Sequence, residues 1–161
     1  MTKDHIPFFT SVRNECAVEY LHNSNTFSVQ QVCQWFDKNK PDYYIILHEK
    51  SPIGYFRVSQ HSEENRNLYI GADLHKDFHG KGLAYESYCK FIPFIMKKYN
   101  LHKVSLEVLG TNQRAYNLYF KLGFVQEGIK RQEVLKCKKY IDSIIMSILK
   151  EEMENSKIYT L

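Results

Sequence analysis

The clearest hydrophobic patterning lies in the central part of the chain. Tyr43 to His48 (YYIILH) and Ile53 to Gln60 (IGYFRVSQ) are β-branched and aromatic runs separated by Glu49-Lys50-Ser51-Pro52, which predicts a hairpin. A polar loop from His61 to Asn67 leads to a third run, Leu68 to Leu74 (LYIGADL), and the three runs predict an antiparallel meander. Beyond Gly82 the period lengthens. Leu83, Phe91, Phe94 and Ile95 recur at helical intervals and predict a helix from Leu83 to Tyr99, kinked or short of a hydrogen bond at Pro93. Lys103 to Leu109 (KVSLEVL) reads as a strand, Asn112 to Leu122 as a helix, Phe124 to Lys130 as a strand, and Tyr140 to Leu149 as a long final strand. Near the start, Ile6 to Thr10 predicts a short strand, Ser11 to Leu21 a helix, and His22-Asn23-Ser24-Asn25 a turn. Ser28 followed by Gln31 is a capping-box pattern, and Val29, Val32, Cys33 and Phe36 carry a helix on to Lys38. The order predicts an α+β fold, a mixed and largely antiparallel sheet with helices on both faces.

Composition narrows the class without naming a function. The chain has 161 residues, the length of one ordinary domain, so a single domain over 1–161 is expected, with a charged, frayed tail over 151–161. A net charge of +4, evenly spread, argues against a nucleic-acid partner and suits a protein that holds a polyphosphate. The 4 cysteines (Cys16, Cys33, Cys89, Cys137) form no C-x-x-C pair, which predicts neither a zinc knuckle nor a disulfide framework. Reduced thiols and a cytoplasmic setting are expected. The opening MTKDHIPFFTS lacks a signal-like apolar region, no apolar run reaches membrane-spanning length, and the 7 histidines show no metal-ligand spacing. No membrane association and no metal are expected.

The most informative segment is His79-Gly80-Lys81-Gly82-Leu83-Ala84, at a predicted strand-to-helix junction. Glycines there remove side chains where backbone must approach a ligand, and the helix that follows offers unpaired N–H groups and the positive end of its dipole. That combination makes a pyrophosphate pocket. A plain glycine turn would carry the same letters. There is no G-x-x-x-x-G-K-[ST] and no full G-x-G-x-x-G, which removes the Walker and dinucleotide readings.

These residues resemble the cofactor motif of the GNAT superfamily of N-acetyltransferases, Gln/Arg-x-x-Gly-x-Gly/Ala, with His79 standing where Gln or Arg is usual. A second stretch, Asn112 to Phe124, is similar to the family's second signature: Asn112, Ala115, Tyr119 and the closing Gly123-Phe124. The two signatures with their flanking strands cover residues 68 to 130. The resemblance implies a GNAT-like sheet in which two parallel central strands, Leu68–Leu74 and Lys103–Leu109, splay to admit the pantetheine of acetyl-CoA. It further implies that the backbone of Ala72, Asp73 and Leu74 meets the acetyl and pantetheine amides. The amides of His79, Gly80, Lys81, Gly82, Leu83 and Ala84 would hold the pyrophosphate. Asn112 would contact the pantetheine arm, and Tyr119 would lie beside the thioester sulfur.

Attack of an amine on a thioester needs a proton donor for sulfur and a sink for the amine's proton. Tyr119 is the expected acid, and its plainer reading is an aromatic packed under the helix. Strand alternation puts Ser105, Glu107 and Leu109 on one face, which makes Glu107 the expected base; its plainer reading is a salt-bridged carboxylate. Asp73 and His61 are weaker candidates, Cys89 is expected in the core, and Asp142 is expected to tie the last strand to a base such as Arg131.

The acceptor is written less clearly. Selectivity is expected from the first forty or so residues, the His61–Asn67 loop and the stretch Arg131 to Tyr140. Arg13-Asn14, Glu127 to Arg131 and Tyr140-Ile141-Asp142 resemble the branch acting on nucleotide-linked amino sugars, and equally the ribosomal-protein N-terminal acetyltransferases. The favoured partner is a small-molecule amine on a nucleotide sugar. A peptide N-terminus, a polyamine, a non-catalytic acyl-CoA-binding module and a nucleotide-binding regulator stay open, and a homodimer paired through the last strands is compatible with the pattern.

Overall fold

The structure, a computed structural model, describes residues 1–159. Among these, five α-helices and six strands follow in the order α1 (Ile6–Ala17), α2 (Val29–Asn39), β1 (Tyr43–His48), β2 (Ser51–Ser62), β3 (Asn67–Leu74), α3 (Leu83–Lys98), β4 (Lys103–Leu109), α4 (Gln113–Lys121), β5 (Val125–Lys136), β6 (Lys139–Leu149) and α5 (Lys150–Asn155). The strand order is β1-β2-β3-β4-β6-β5. β1–β2, β4–β6 and β5–β6 are antiparallel, and β3–β4 is the parallel pair. This is the mixed α+β sheet expected, and its parallel ladder joins Asn67–Tyr69 to Lys103–Ser105.

The chain divides into two compact units. The first holds Met1–Val58 and Gly71–Lys81. Its core is one side of α1 (Ile6, Phe9, Val12, Cys16, Ala17) packed with Val32 of α2 and Tyr55 of β2. The spacing of those α1 residues is helical, so Ile6–Thr10 is not the strand expected but the first turns of a helix. A short apolar run does not distinguish the two, and Pro7, in the first turn where no N–H is required, decides it. α2 starts as predicted: Ser28 Oγ accepts from Gln31 N (3.2 Å) and Gln31 Oε1 accepts from Ser28 N (2.8 Å). Between the helices, Asn14 clamps Phe27, its side-chain amide donating to Phe27 O (2.7 Å) and its oxygen accepting from Phe27 N (3.0 Å).

The second unit holds Ser59–Ile70 and the chain from Gly82 onward. α3 runs through Pro93 without interruption and buries Tyr88, Phe91, Ile92, Ile95 and Met96, while Phe94 is exposed. β5 continues to Lys136, well past the expected end at Lys130. Register shifts between Gln126 and Gly128 and between Lys130 and Val134 break the period of two by which a strand is recognised. Lys150–Asn155 is a helix rather than the start of a frayed tail, with Leu149 N donating to Glu152 Oε2 (2.8 Å); residues 160–161 of that expected tail lie outside the described residues.

Gly54 tests the packing of the first unit. A Cβ there would stand 2.4 Å from the backbone oxygen of Asp73, which no side-chain rotation relieves. Gly54→Ala is expected to lose about 1–3 kcal/mol, an overpacking cost. A thermal melt equal to that of the parent would contradict it.

Candidate active site

The β3–α3 connection places the first signature. After β3 a 3₁₀ turn, Lys76–Phe78, leads through extended His79 to Gly80 (φ 77°) and Gly82 (φ 79°). Both glycines are left-handed, where a side chain is strained, and a Cβ on either would meet nothing within 4 Å. Gly82 is the N-cap of α3 and supplies no side-chain acceptor, so no side chain caps the first N–H groups of that helix. His79 folds back: its Nε2 lies 2.8 Å from Leu74 O, and Tyr20 meets its ring edge-on at 6.0 Å. Lys81 lies over the Phe78 ring, 5.5 Å from its centroid. Leu83 and Ala84 open α3, half-buried. Earlier in the chain, Asp73 and Leu74 are buried and Ala72 half-buried at the end of β3.

The second signature lies within the second unit. Asn112 caps α4, its side-chain oxygen accepting from Ala115 N (3.1 Å), so its amide group is its remaining donor. Tyr119 is buried in α4 beside Phe124 and edge-on to Tyr88 of α3 (5.5 Å). The Tyr88 hydroxyl donates to the Tyr119 hydroxyl (3.3 Å). Glu107 is half-buried, paired to Lys130 Nζ (2.6 Å) and accepting from Ser143 Oγ (3.2 Å).

A glycine-turned, uncapped helix start followed by an Asn-capped helix carrying a buried tyrosine is the arrangement that the two signatures require. The profile of the acetyltransferase (GNAT) domain matches residues 1–125. The chain belongs to this family. Among GNAT relatives, an N-acetyltransferase of Bacillus licheniformis, p20, is 30% identical over 108 residues, 67% of this chain and 61% of that protein. The [ribosomal protein uS5]-alanine N-acetyltransferase of Escherichia coli is 23% identical over 124 residues, 77% of this chain and again 61% of that protein. The spermidine N(1)-acetyltransferase of Vibrio cholerae is 28% identical over 156 residues, covering 86% of this chain and 90% of that one. A crystal structure of spermidine N-acetyltransferase from Vibrio cholerae with CoA and spermine shares the fold, with a TM-score of 0.89 at 22% identity over 96% of this chain and 95% of that one.

Within this GNAT chain, the residues singled out for acceptor choice have local structural partners. Arg13 donates to the carbonyls of Asn23 and Asn25 and lies over the Phe27 ring. Glu127 accepts from Lys103 Nζ (2.6 Å) and Ser147 Oγ (2.8 Å). Asp142 accepts not from Arg131, as expected, but from the backbone N of Gln132 (2.7 Å), where the second bulge in β5 turns that N–H toward it. His61 packs edge-on against Tyr99 (4.7 Å). Among the described residues, no helix is long and apolar enough to cross a membrane and no three His, Cys, Asp or Glu gather as a metal site.

Sequence reasoning passed over a polar cluster inside the first unit. Arg57 Nη2 of β2 lies 3.2 Å from Asp73 Oδ2 of β3, and Asp73 is buried. The guanidinium crosses Gly71, where a Cβ would come within 2.9 Å of Nη2. Tyr55, two residues before Arg57 and so on the same face of β2, is fully buried. Burial first, then the charge of Asp73, holds its hydroxyl well above the usual tyrosine pKa. Cys16 of α1 is pushed up to about 12 by burial and by the same carboxylate. The available signal was an arginine in the apolar run IGYFRV and an aspartate in the apolar run LYIGADL.

The Lys103 ammonium, as hydrogen-bond donor, holds the Glu127 pKa below the usual carboxylate value of 4.5. A carboxylate more acidic in the folded than in the unfolded chain contributes stability above its unfolded pKa, and that contribution disappears as pH falls through the folded value. Glu127→Gln is therefore expected to flatten the loss of stability below about pH 4.5 while changing little at neutral pH. Urea unfolding from pH 3 to 7 measures this, and parallel curves for parent and variant would contradict it.

Proposed function

We propose that this chain is an acetyl-CoA-dependent N-acetyltransferase that acylates a primary amine by direct attack. The observation carrying the proposal is the start of α3: N–H groups with no side-chain cap, behind two left-handed glycines whose outer faces are open. Such a helix start suits the diphosphate of CoA through backbone donors and dipole together. His79, Gly80, Lys81, Gly82, Leu83 and Ala84 would line it, the backbone of Ala72, Asp73 and Leu74 would meet the pantetheine and acetyl end, and Asn112 would donate its side-chain amide to the arm. The amine nitrogen bonds to the acetyl carbon, the C–S bond breaks, Tyr119 protonates the departing sulfur, and the amine's proton leaves to a base. Using Glu107 as that base would cost its pairing with Lys130 and Ser143.

For the acceptor, electrostatics favour an α-amino group on a peptide over a polycation. The chain carries +4 at pH 7, and in the first unit Arg57 stands against the carboxylate of Asp73. Bringing a further cation to about 4 Å from a guanidinium costs on the order of 1–4 kcal/mol, depending on solvent access. The uS5-alanine relative supports the peptide reading. The spermidine relative, matched over 90% of its length, supports a polyamine as the second reading. The amino-sugar acceptor expected from Arg13-Asn14 and Glu127–Arg131 has no support from these relatives, and those residues have structural work in the loop and the β5–β6 hairpin.

Release of free thiol from acetyl-CoA, measured with α-amino peptides, polyamines and amino-sugar nucleotides side by side, tests the proposal. Peptides are expected to give the highest kcat/KM. Tyr119→Phe is expected to lower kcat by about 100-fold or more, the range of a lost general acid, with CoA affinity unchanged. Tight CoA binding without thiol release for any amine would replace the enzyme by an acyl-CoA-binding module, and no thermal shift with acetyl-CoA would remove the cofactor.

A further inference from the structure

α3 and α4 both belong to the second unit, and each buries a tyrosine against the other. Tyr88 stands on the buried side of α3 with Phe91, Ile92, Ile95 and Met96. Those four side chains have no hydrogen-bond donor, so packing alone calls for a phenylalanine at 88. A buried hydroxyl adds little to such packing and needs a polar partner. It meets Tyr119: the hydroxyl oxygens lie 3.3 Å apart, and the rings stand edge-on with centroids 5.5 Å apart and planes at 80°. Phe124 packs on the Tyr119 ring as well, 6.0 Å between centroids, and its N–H donates to Tyr119 O (3.0 Å). Two phenylalanines at 88 and 119 would fill the same space with no hydroxyl to satisfy.

We propose that Tyr88 is a positioning residue for acetyl transfer, its hydroxyl holding the Tyr119 oxygen while Tyr119 gives its proton to sulfur. The inference rests on the reading above in which Tyr119 is the general acid. A phenol carries one hydrogen and can accept two hydrogen bonds. For Tyr119 to give that hydrogen to the departing sulfur, the bond between the two hydroxyls has to be donated by Tyr88, as it is in the structure. During transfer the amine nitrogen bonds to the acetyl carbon and the C–S electron pair goes to sulfur. Sulfur takes the Tyr119 proton, the nitrogen's surplus proton leaves to water, and Tyr119 regains a proton from water. Until that last step Tyr119 carries a negative charge in a buried position, where an unaided phenolate is disfavoured. A hydrogen bond to a charged oxygen is roughly twice as strong as one to a neutral oxygen. The Tyr88 bond therefore strengthens as the proton leaves, and an interaction stronger in the transition state than in the ground state raises kcat. Tyr88 acts through Tyr119, without touching substrate or cofactor itself.

A double-mutant cycle in the full chain tests this, reading free thiol released from acetyl-CoA with the best acceptor amine. Tyr88→Phe keeps the ring and its edge-on contact and removes only the hydroxyl. It is expected to lower kcat about 10-fold, the effect of one hydrogen bond to a charged oxygen, with the KM of both substrates and the affinity for CoA unchanged. Made in the Tyr119→Phe background, the same substitution is expected to leave the residual rate within about twofold, because the group it serves is gone. An equal loss in both backgrounds would overturn the proposal by assigning the Tyr88 hydroxyl to the fold, and the comparison holds even where Tyr88→Phe shifts the melting temperature. A kcat within about twofold of the parent for Tyr88→Phe alone would overturn it too. So would a fall as large as that of Tyr119→Phe, which would make Tyr88 the acid itself. A parent chain that releases no thiol with any amine, or a Tyr119→Phe variant as active as the parent, sinks the reading of Tyr119 as acid and this inference together. An impaired Tyr119→Phe beside an indifferent Tyr88→Phe sinks only the inference.

Discussion

The ion pair between Arg57 and Asp73 constrains how β2 and β3 pack in the first unit. A carboxylate withdrawn from water must face a cation, and here the cation comes from the adjacent β2 rather than from solvent. To reach it the guanidinium lies across Gly71, where a methyl group has no room, and β3 presses the Asp73 carbonyl against Gly54, where again none fits. The glycine at 71 follows directly from that charge pair. Such pairs add little net stability once desolvation is counted, but losing one partner strands the other at a cost of about 3–5 kcal/mol. The pair therefore acts on specificity of arrangement: a one-residue slip of β3 would turn Asp73 to the other face and leave Arg57 facing Ala72 or Leu74.

The helix starts show a second constraint, set by hydrogen-bond accounting. α2 begins on Ser28 and α4 on Asn112, each with a side-chain oxygen satisfying a first-turn N–H. α3 begins on a left-handed glycine with no such group. A serine or asparagine at Gly82 would cap the helix and cover its first N–H groups, besides straining a φ of 79°. Sequences tend to break local rules where function requires it. The uncapped start costs stability that a side-chain cap would supply.

Legibility followed the range of the interactions. The β1–β2 hairpin, α2 with its capping box, and the two signatures are local patterns, and each stood where its spacing placed it. α1 was misread because IPFFT is too short to reveal a period, and β5 was cut short because two bulges erase its alternation. Pairings between strands were not legible. Nothing along the chain says that Lys130 will meet Glu107, or that a bulge will bring Gln132 N to Asp142. Arg57 and Asp73 are visible as charges in apolar strands, and the rule that a buried charge must find its opposite says that each needs a partner without naming it.

The same difference in range explains why the donor was easier to read than the acceptor. A diphosphate is held by backbone N–H groups, so the requirement falls on glycines and a helix start, which spacing records directly. An acceptor amine is distinguished by side chains brought together from separate elements, and the pairs that resembled an acceptor signature, Arg13-Asn14 and Glu127 to Arg131, prove to be engaged in the α1–α2 loop and the β5–β6 hairpin. Those residues are committed to local structure. A polyamine offers several cations to a chain already positive, whereas an α-amino group, less basic than a lysine, offers more of its neutral form near pH 7.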